Sequence, residues 1–183
     1  RLKCEETIKK VQEKFSEDLK TFRGALNQEI QAMKQDFEEL SHQADLNEYE
    51  TVGGAFEDLA DRLNRAKNSA EVVNRREGIV GWAKSNFKDI SNIKMEFTPY
   101  YTLWLHARSF FYRKSQWMEH EICNLDRDQL KAQILDTWTE LQKMEKVTFK
   151  NKREAQIVAK ELREKYETVK PYLPIVYELK NPG

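Results

Sequence analysis

Glycine and proline are scarce in this chain, at six and four of 183 residues, and three of the prolines lie after residue 170. An all-β domain needs turn residues every ten positions or so, which leaves long helices as the expected architecture. Cysteine is rarer still: Cys4 and Cys123 are the only two, and no Asn-x-Ser/Thr sequon occurs. Both facts fit a reducing, cytoplasmic setting better than secretion. No stretch approaches the ~18 apolar residues that a membrane-spanning helix needs, and no targeting stretch is visible at the N-terminus. Charge of one sign is missing as well. The 31 Lys+Arg balance 31 Asp+Glu, and the segments 1–50, 51–100, 101–150 and 151–183 carry net charges of −4, +1, +1 and +2. A nucleic-acid binder would show a concentrated basic face, and a membrane-binding helical dimer a dense Lys/Arg face. Neither partner class is expected.

Charged residues (34%) and 20 aromatics are what the chain has in plenty. With zero net charge, that aromatic content can bury enough surface to fold, which argues against disorder. The chain starts at Arg1 and stops at Lys180-Asn181-Pro182-Gly183, and reads as an excerpt of a longer polypeptide.

Apolar or small residues recur at Cys4, Ile8, Val11, Phe15, Leu19, Phe22, Leu26, Ile30, Met33, Phe37, Leu40 and Ala44. The mean step is about 3.64, close to the natural helical repeat of about 3.6 and above the 3.5 of a left-handed coiled coil. One straight helix over about 2–44 is expected, about 60 Å long at 1.5 Å per residue, so an elongated molecule is expected too. Asn47 with Glu50 reads as a capping box. It opens a second helix through Tyr49, Val52, Phe56, Leu59, Leu63, Ala66, Ala70 and Val73. These steps alternate three and four, a seam suited to an antiparallel neighbour. Glu77 falls where an apolar residue is due, and Gly78 and Gly81 follow, so the helix should end near Arg76. Residues 77–88 read as a connection or hinge whose Ile79, Val80, Trp82 and Phe87 fold back onto the bundle.

A third helix from about 88–91 to 119 contains Pro99, where a kink or break is expected. Eight aromatics between Phe97 and Trp117 fall on several of its faces, the mark of a central helix. Asp126 with Gln129 starts a fourth, with Leu130, Ile134, Trp138, Leu141, Met144 and Val147 or Thr148 facing inward. Asn151 with Glu154 starts a fifth, carrying Ala155, Val158, Leu162, Tyr166 and Val169 and stopped by Pro171 and Pro174. The short run Ile175–Leu179 has no assigned type.

No residue pattern carries catalysis, and no catalytic, cofactor-binding or metal-ligating residue is assigned. No Gly-x-x-x-x-Gly-Lys-Ser/Thr run exists, and Gly78-Ile79-Val80-Gly81 lacks the strand and the Lys that a phosphate cradle needs. His120 and Cys123, with His106, fall short of a zinc set. Three histidines without a neighbouring nucleophile make no triad. Glu5-Glu6 and Glu38-Glu39 read as solvated faces. Arg62, Arg65, Arg75 and Arg76 could form a basic stripe, but Glu57, Asp58, Asp61, Glu71 and Glu77 favour ordinary intrahelical pairing. The aromatic run at 97–117 reads as core, with docking of another part of the chain as the alternative.

Four stretches point to a family. Val73-Asn74-Arg75-Arg76-Glu77-Gly78, Phe97-Thr98-Pro99-Tyr100-Tyr101-Thr102-Leu103-Trp104, Pro171-Tyr172-Leu173-Pro174-Ile175 and Leu179-Lys180-Asn181-Pro182-Gly183 resemble the dynein heavy chains, where the tail passes into the linker ahead of the ATPase ring. Lys180 stands where the family has Arg, and Arg76 is an extra residue in the first motif. The resemblance covers roughly 70–183, with 1–69 matching only as generic tail helices, and the wording of 73–82 is nearer the axonemal members. The resemblance implies a non-catalytic segment that transmits force between tail and linker, in the cytoplasm and its cytoskeleton, in a ciliary axoneme. Its implied partners are the rest of the heavy chain (ATPase ring and remaining linker) and other dynein subunits. ATP and magnesium would belong to the ring of the parent, with no cofactor in these residues. The expected fold is all-α: 1–76 a long hairpin ending the tail, 77–88 the connection or hinge, 89–183 an aromatic-rich bundle starting the linker. A generic spectrin-like scaffold that spaces protein partners is the alternative.

Overall fold

A computed structural model describes residues 2–119 and 127–169. Among these the chain is helical with no strand: α1 Leu2–Ser41, a 3₁₀ turn Leu46–Glu48, α2 Tyr49–Val80, α3 Lys88–Glu119, α4 Arg127–Lys143, a π turn Met144–Thr148 and α5 Arg153–Val169. The expected helices are therefore all present, and bundles of long helices are the fold. The motifs at 171–183, the Asp126 start of the fourth helix and the His120–Cys123 pair lie outside the described residues.

The chain divides into two compact units. One is built from the residues up to Glu38 with Asp58–Glu96; the other from Glu39–Glu57 with the residues from Phe97 on. In the first unit, α1 and α2 run antiparallel. Arg23 meets Glu77, whereas Arg62 meets Glu29 and Asp36, so position along one helix falls as it rises along the other. Their seam buries Leu19, Leu26, Ile30, Met33 and Phe37 against Leu59, Leu63, Ala66, Ala70 and Val73, and α3 adds Ile90 and Ile93. The apolar stripe of α1 continues towards its N-terminus through Phe15, Val11 and Ile8, but these stay exposed, Val11 by 63%. The register explains it. Val80, the last residue of α2, falls opposite residue ~20 of α1, so the first turns of α1 run past its partner's end by roughly 25 Å.

In the second unit, the start of α2 again runs antiparallel to α3. Tyr49 stacks on Phe111 with centroids 4.1 Å apart, while Phe56 lies against Phe97, Tyr100 and Trp104. Phe110 packs on Tyr166 of α5 and Tyr100 on Phe149. Phe97, Tyr100, Trp104 and Phe110 are buried, so the core reading of the aromatic run holds for them; Tyr112 is exposed.

Four local expectations are corrected. First, α1 stops at Ser41, and Asp45 rather than Asn47 caps the turn that follows: its carboxylate accepts from the Asn47 N–H at 2.9 Å. Second, of the kink or break expected at Pro99, the break does not occur: α3 runs through it. Pro removes one backbone donor, but Phe97, Tyr100, Leu103 and Trp104 anchor both flanking turns in the core. Third, neither Val147 nor Thr148 faces inward. The Phe149 N–H bonds the Met144 carbonyl five residues back at 2.8 Å, the π turn inserts one residue, and Phe149 takes the buried place while Val147 stands exposed. Fourth, α2 continues past Arg76 to Val80, for a reason that lies in Glu77.

Candidate functional site

Glu77 occupies an apolar seam position, fully buried. A bare carboxylate there would be costly, because its hydration is lost. It is paired instead. The Ser85 N–H donates to Oε2 at 2.6 Å, the Ser85 hydroxyl to Oε1 at 2.6 Å, and Arg23 Nη1 to Oε1 at 3.3 Å. Burial alone would raise its pKa; the Ser85 bonds and Arg23 together outweigh burial and hold it below the ordinary carboxylate value. Glu77 therefore continues the seam as a buried ion.

The helix then stops at Gly81. Its φ of +76° is the left-handed conformation that only glycine adopts cheaply. The Trp82 N–H bonds the Glu77 carbonyl at 2.8 Å and the Gly81 N–H the Gly78 carbonyl at 3.3 Å, a Schellman cap. Trp82, half-buried, lies under Lys20 and Arg23, each 5.8 Å from its ring centroid. Trp82 thus folds back as expected. Ile79 does not: it is 74% exposed.

The acid behaviour of Glu77 follows from the direction of its shift. A carboxylate whose folded-state pKa lies below its unfolded value contributes stability that is full above the unfolded value and lost as pH falls through the folded one. The contribution should be constant at neutral pH and fade only below about pH 4. A ¹³C carboxyl titration should place the Glu77 midpoint below that of an ordinary glutamate, and Glu77→Gln should remove the corresponding loss of Ser85 amide protection in acid.

The basic stripe does not form. Arg62 bonds Glu29 at 2.8 Å and also Asp36, both on α1, so its pairing is between helices and not within α2. The hydrogen bonds it donates to these carboxylates raise its pKa. Arg76 covers the Phe22 ring, while Arg65 and Arg75 face solvent. The sequence shows four arginines on one helix; it does not show that α1 offers carboxylates at the matching height.

In the second unit Arg108 lies across Gly53 to reach Glu57 at 2.6 Å and Glu50 at 3.7 Å. A Cβ built on Gly53 would overlap the Arg108 side chain. Gly53→Ala should therefore displace Arg108 from Glu57 and offset the helix-propensity gain of about 1 kcal/mol that Ala brings. Net stability should change by less than that gain in urea unfolding, and Arg108→Ala in the Gly53→Ala background, which removes the Cγ and Cδ that the new Cβ meets, should recover it.

Glu145, in the π turn, pairs with Arg163 Nε at 2.7 Å, and its backbone carbonyl accepts from Gln156 Nε2 at 3.0 Å. Arg163 also bonds Glu167, which takes the Trp138 indole N–H at 3.1 Å. His106 contacts Glu140 at 2.9 Å. Among the described residues no group of three or more His, Cys, Asp or Glu side chains could hold a metal ion, and no helix is long and apolar enough to cross a membrane. What the described residues of the two units offer is cross-helix ties.

Residues 90–183 match the family described as "Dynein heavy chain, N-terminal region 2". The chain belongs to the dynein heavy chains. It is 30% identical to mouse dynein axonemal heavy chain 1 over 133 residues, which is 69% of this chain and 3% of that protein. It is 27% identical to human dynein axonemal heavy chain 1 over 188 residues, 96% of this chain and 4% of that protein. Mouse dynein axonemal heavy chain 3 is 25% identical over 171 residues, 93% and 4%. The chain thus spans a few per cent of the relatives it matches. No solved structure matches. The likeness is to axonemal heavy chains, in line with the wording of 73–82, but it is not confined to 70–183: the human alignment takes in nearly all of the chain. The early helices escape a motif-based reading because their information is an apolar period shared by many helices. The sequence carries no nucleotide-binding motif, and these residues are a helical segment of a dynein heavy chain whose residues 90–183 match that N-terminal region.

Proposed function

We propose that this segment is a passive mechanical member of an axonemal dynein heavy chain, carrying force between the tail and the ATP-driven linker. The observation that carries the reading is the length and cross-bracing of the helices in a dynein segment. α1 has 40 residues, α2 and α3 have 32 each, against about 11–12 for a mean helix, and Arg62, Arg23, Arg108 and Arg163 tie neighbours together. A load-bearing part needs stiffness along its members and ties between them. The remaining heavy chain, including ring and linker, is its partner, other dynein subunits bind nearby, and the ciliary axoneme is its location. Residues 77–88 serve as the connection by which α2 turns into α3, inside the first unit.

The test is a flexible insert. Twelve Gly/Ser residues placed between Gln43 and Ala44 of the whole heavy chain should leave the ring's ATP turnover intact and lower the stall force in an optical trap severalfold. An unchanged stall force would overturn force transmission and favour a mere spacer.

A further inference from the structure

We infer that Glu77 is the latch of a strap: it holds the connection 81–87 down on the α1/α2 hairpin, and the strap lifts when the latch is lost while the hairpin stays folded. The inference goes beyond force transmission and does not need it.

The geometry separates two jobs that a single residue seldom combines. Through its backbone carbonyl Glu77 accepts the Trp82 N–H and closes the Schellman cap of α2. Through its carboxylate it bonds a residue eight positions on, Ser85, by both backbone N–H and hydroxyl. The cap belongs to the helix and needs only a backbone. The carboxylate bonds belong to the strap and need this side chain. The strap's other hold is the Trp82 ring beneath Lys20 and Arg23. Arg23 joins the two holds, since it bonds Glu77 and covers Trp82. Few apolar contacts secure the rest: Ala83, Lys84 and Asn86 are exposed and Phe87 is only half-buried. A segment with so little buried surface opens at low free energy unless specific bonds hold it.

The seam position makes the latch separable. Leu19, Ala70 and Val73 are buried along the seam near Glu77, so an apolar side chain at 77 fits the seam's own chemistry. Removing the carboxylate should leave the hairpin intact and release only the strap. An ion in an apolar row is then a specificity device: besides its tie to Arg23 it decides where the chain turns into α3.

The experiment is residue-resolved amide exchange by NMR on the 183-residue chain, comparing wild type with Glu77→Leu, Ser85→Ala and the cavity-forming Val73→Ala. In Glu77→Leu the Ser85 N–H should exchange at least about tenfold faster. The Trp82 N–H, whose acceptor is a backbone carbonyl, should accelerate less, and hairpin amides at 26–37 and 59–70 should keep their wild-type rates or slow. Ser85→Ala, which keeps the N–H bond to Oε2, should give a smaller acceleration in the same segment. Val73→Ala should accelerate hairpin and strap together. Unchanged Ser85 exchange in Glu77→Leu, or acceleration of strap and hairpin in step, would overturn the latch.

Discussion

Trp104→Ala should lower the stability of the second unit by about 3–5 kcal/mol, the range for emptying a large aromatic from a core. Trp104 is 1% exposed and stacks 6.5 Å from Phe56, itself fully buried and surrounded by Phe97 and Tyr100. Phe56 comes from the start of α2 and the other three from the middle of α3, so the cavity would open between two helices whose ends are tied elsewhere. Collapse into that space is hindered by the Tyr49–Phe111 stack and the Arg108–Glu57 pair. The loss should therefore sit towards the upper part of the range. Urea unfolding followed by far-UV circular dichroism reads it as a fall in midpoint. Because the α1/α2 seam of the first unit draws on other residues, amides at 59–73 should keep more of their protection than amides at 100–110. A fall below about 1 kcal/mol would mean that the aromatic cluster is not the core of that unit.

The second large effect tests the π turn. Phe149→Ala should cost about 3–4 kcal/mol and Val147→Ala less than about 0.5 kcal/mol. Phe149 is 1% exposed and packs edge-on against Tyr100 at 5.0 Å; Val147 is 68% exposed. A regular α-helical continuation of the row Ile134, Leu141, Met144 would reverse the order, since it turns 147 or 148 inward. The same unfolding measurement on both variants decides between the registers.

The period of the apolar row in α1 and the three-four alternation in α2 were enough to place those helices, because each is a local consequence of burying one face. The row in α1 could not show where burial stops: Ile8 and Val11 have the same spacing as Ile30 and Met33, and only the length of α2 separates exposed from buried. Glu77 misled for a related reason. A carboxylate in an apolar row reads as a break, and only the folded chain brings Ser85 and Arg23 to it. Phe149 was hidden by one inserted residue. The fully legible parts were those in which a residue's partner lies within its own helix. Arg62, Arg108 and Glu145 each depend on a partner 18 or more positions away in sequence, and no pattern within one helix encodes that.

That these residues bear load without consuming fuel is tested most directly by pulling on them. The 183-residue chain, tethered through residues 5 and 169 in an optical trap, should respond elastically until its units unfold in discrete rips. The force–extension curve should be the same with and without magnesium and ATP. A tether length or stiffness that changes on adding nucleotide, or nucleotide turnover by the purified chain, would contradict a passive strut.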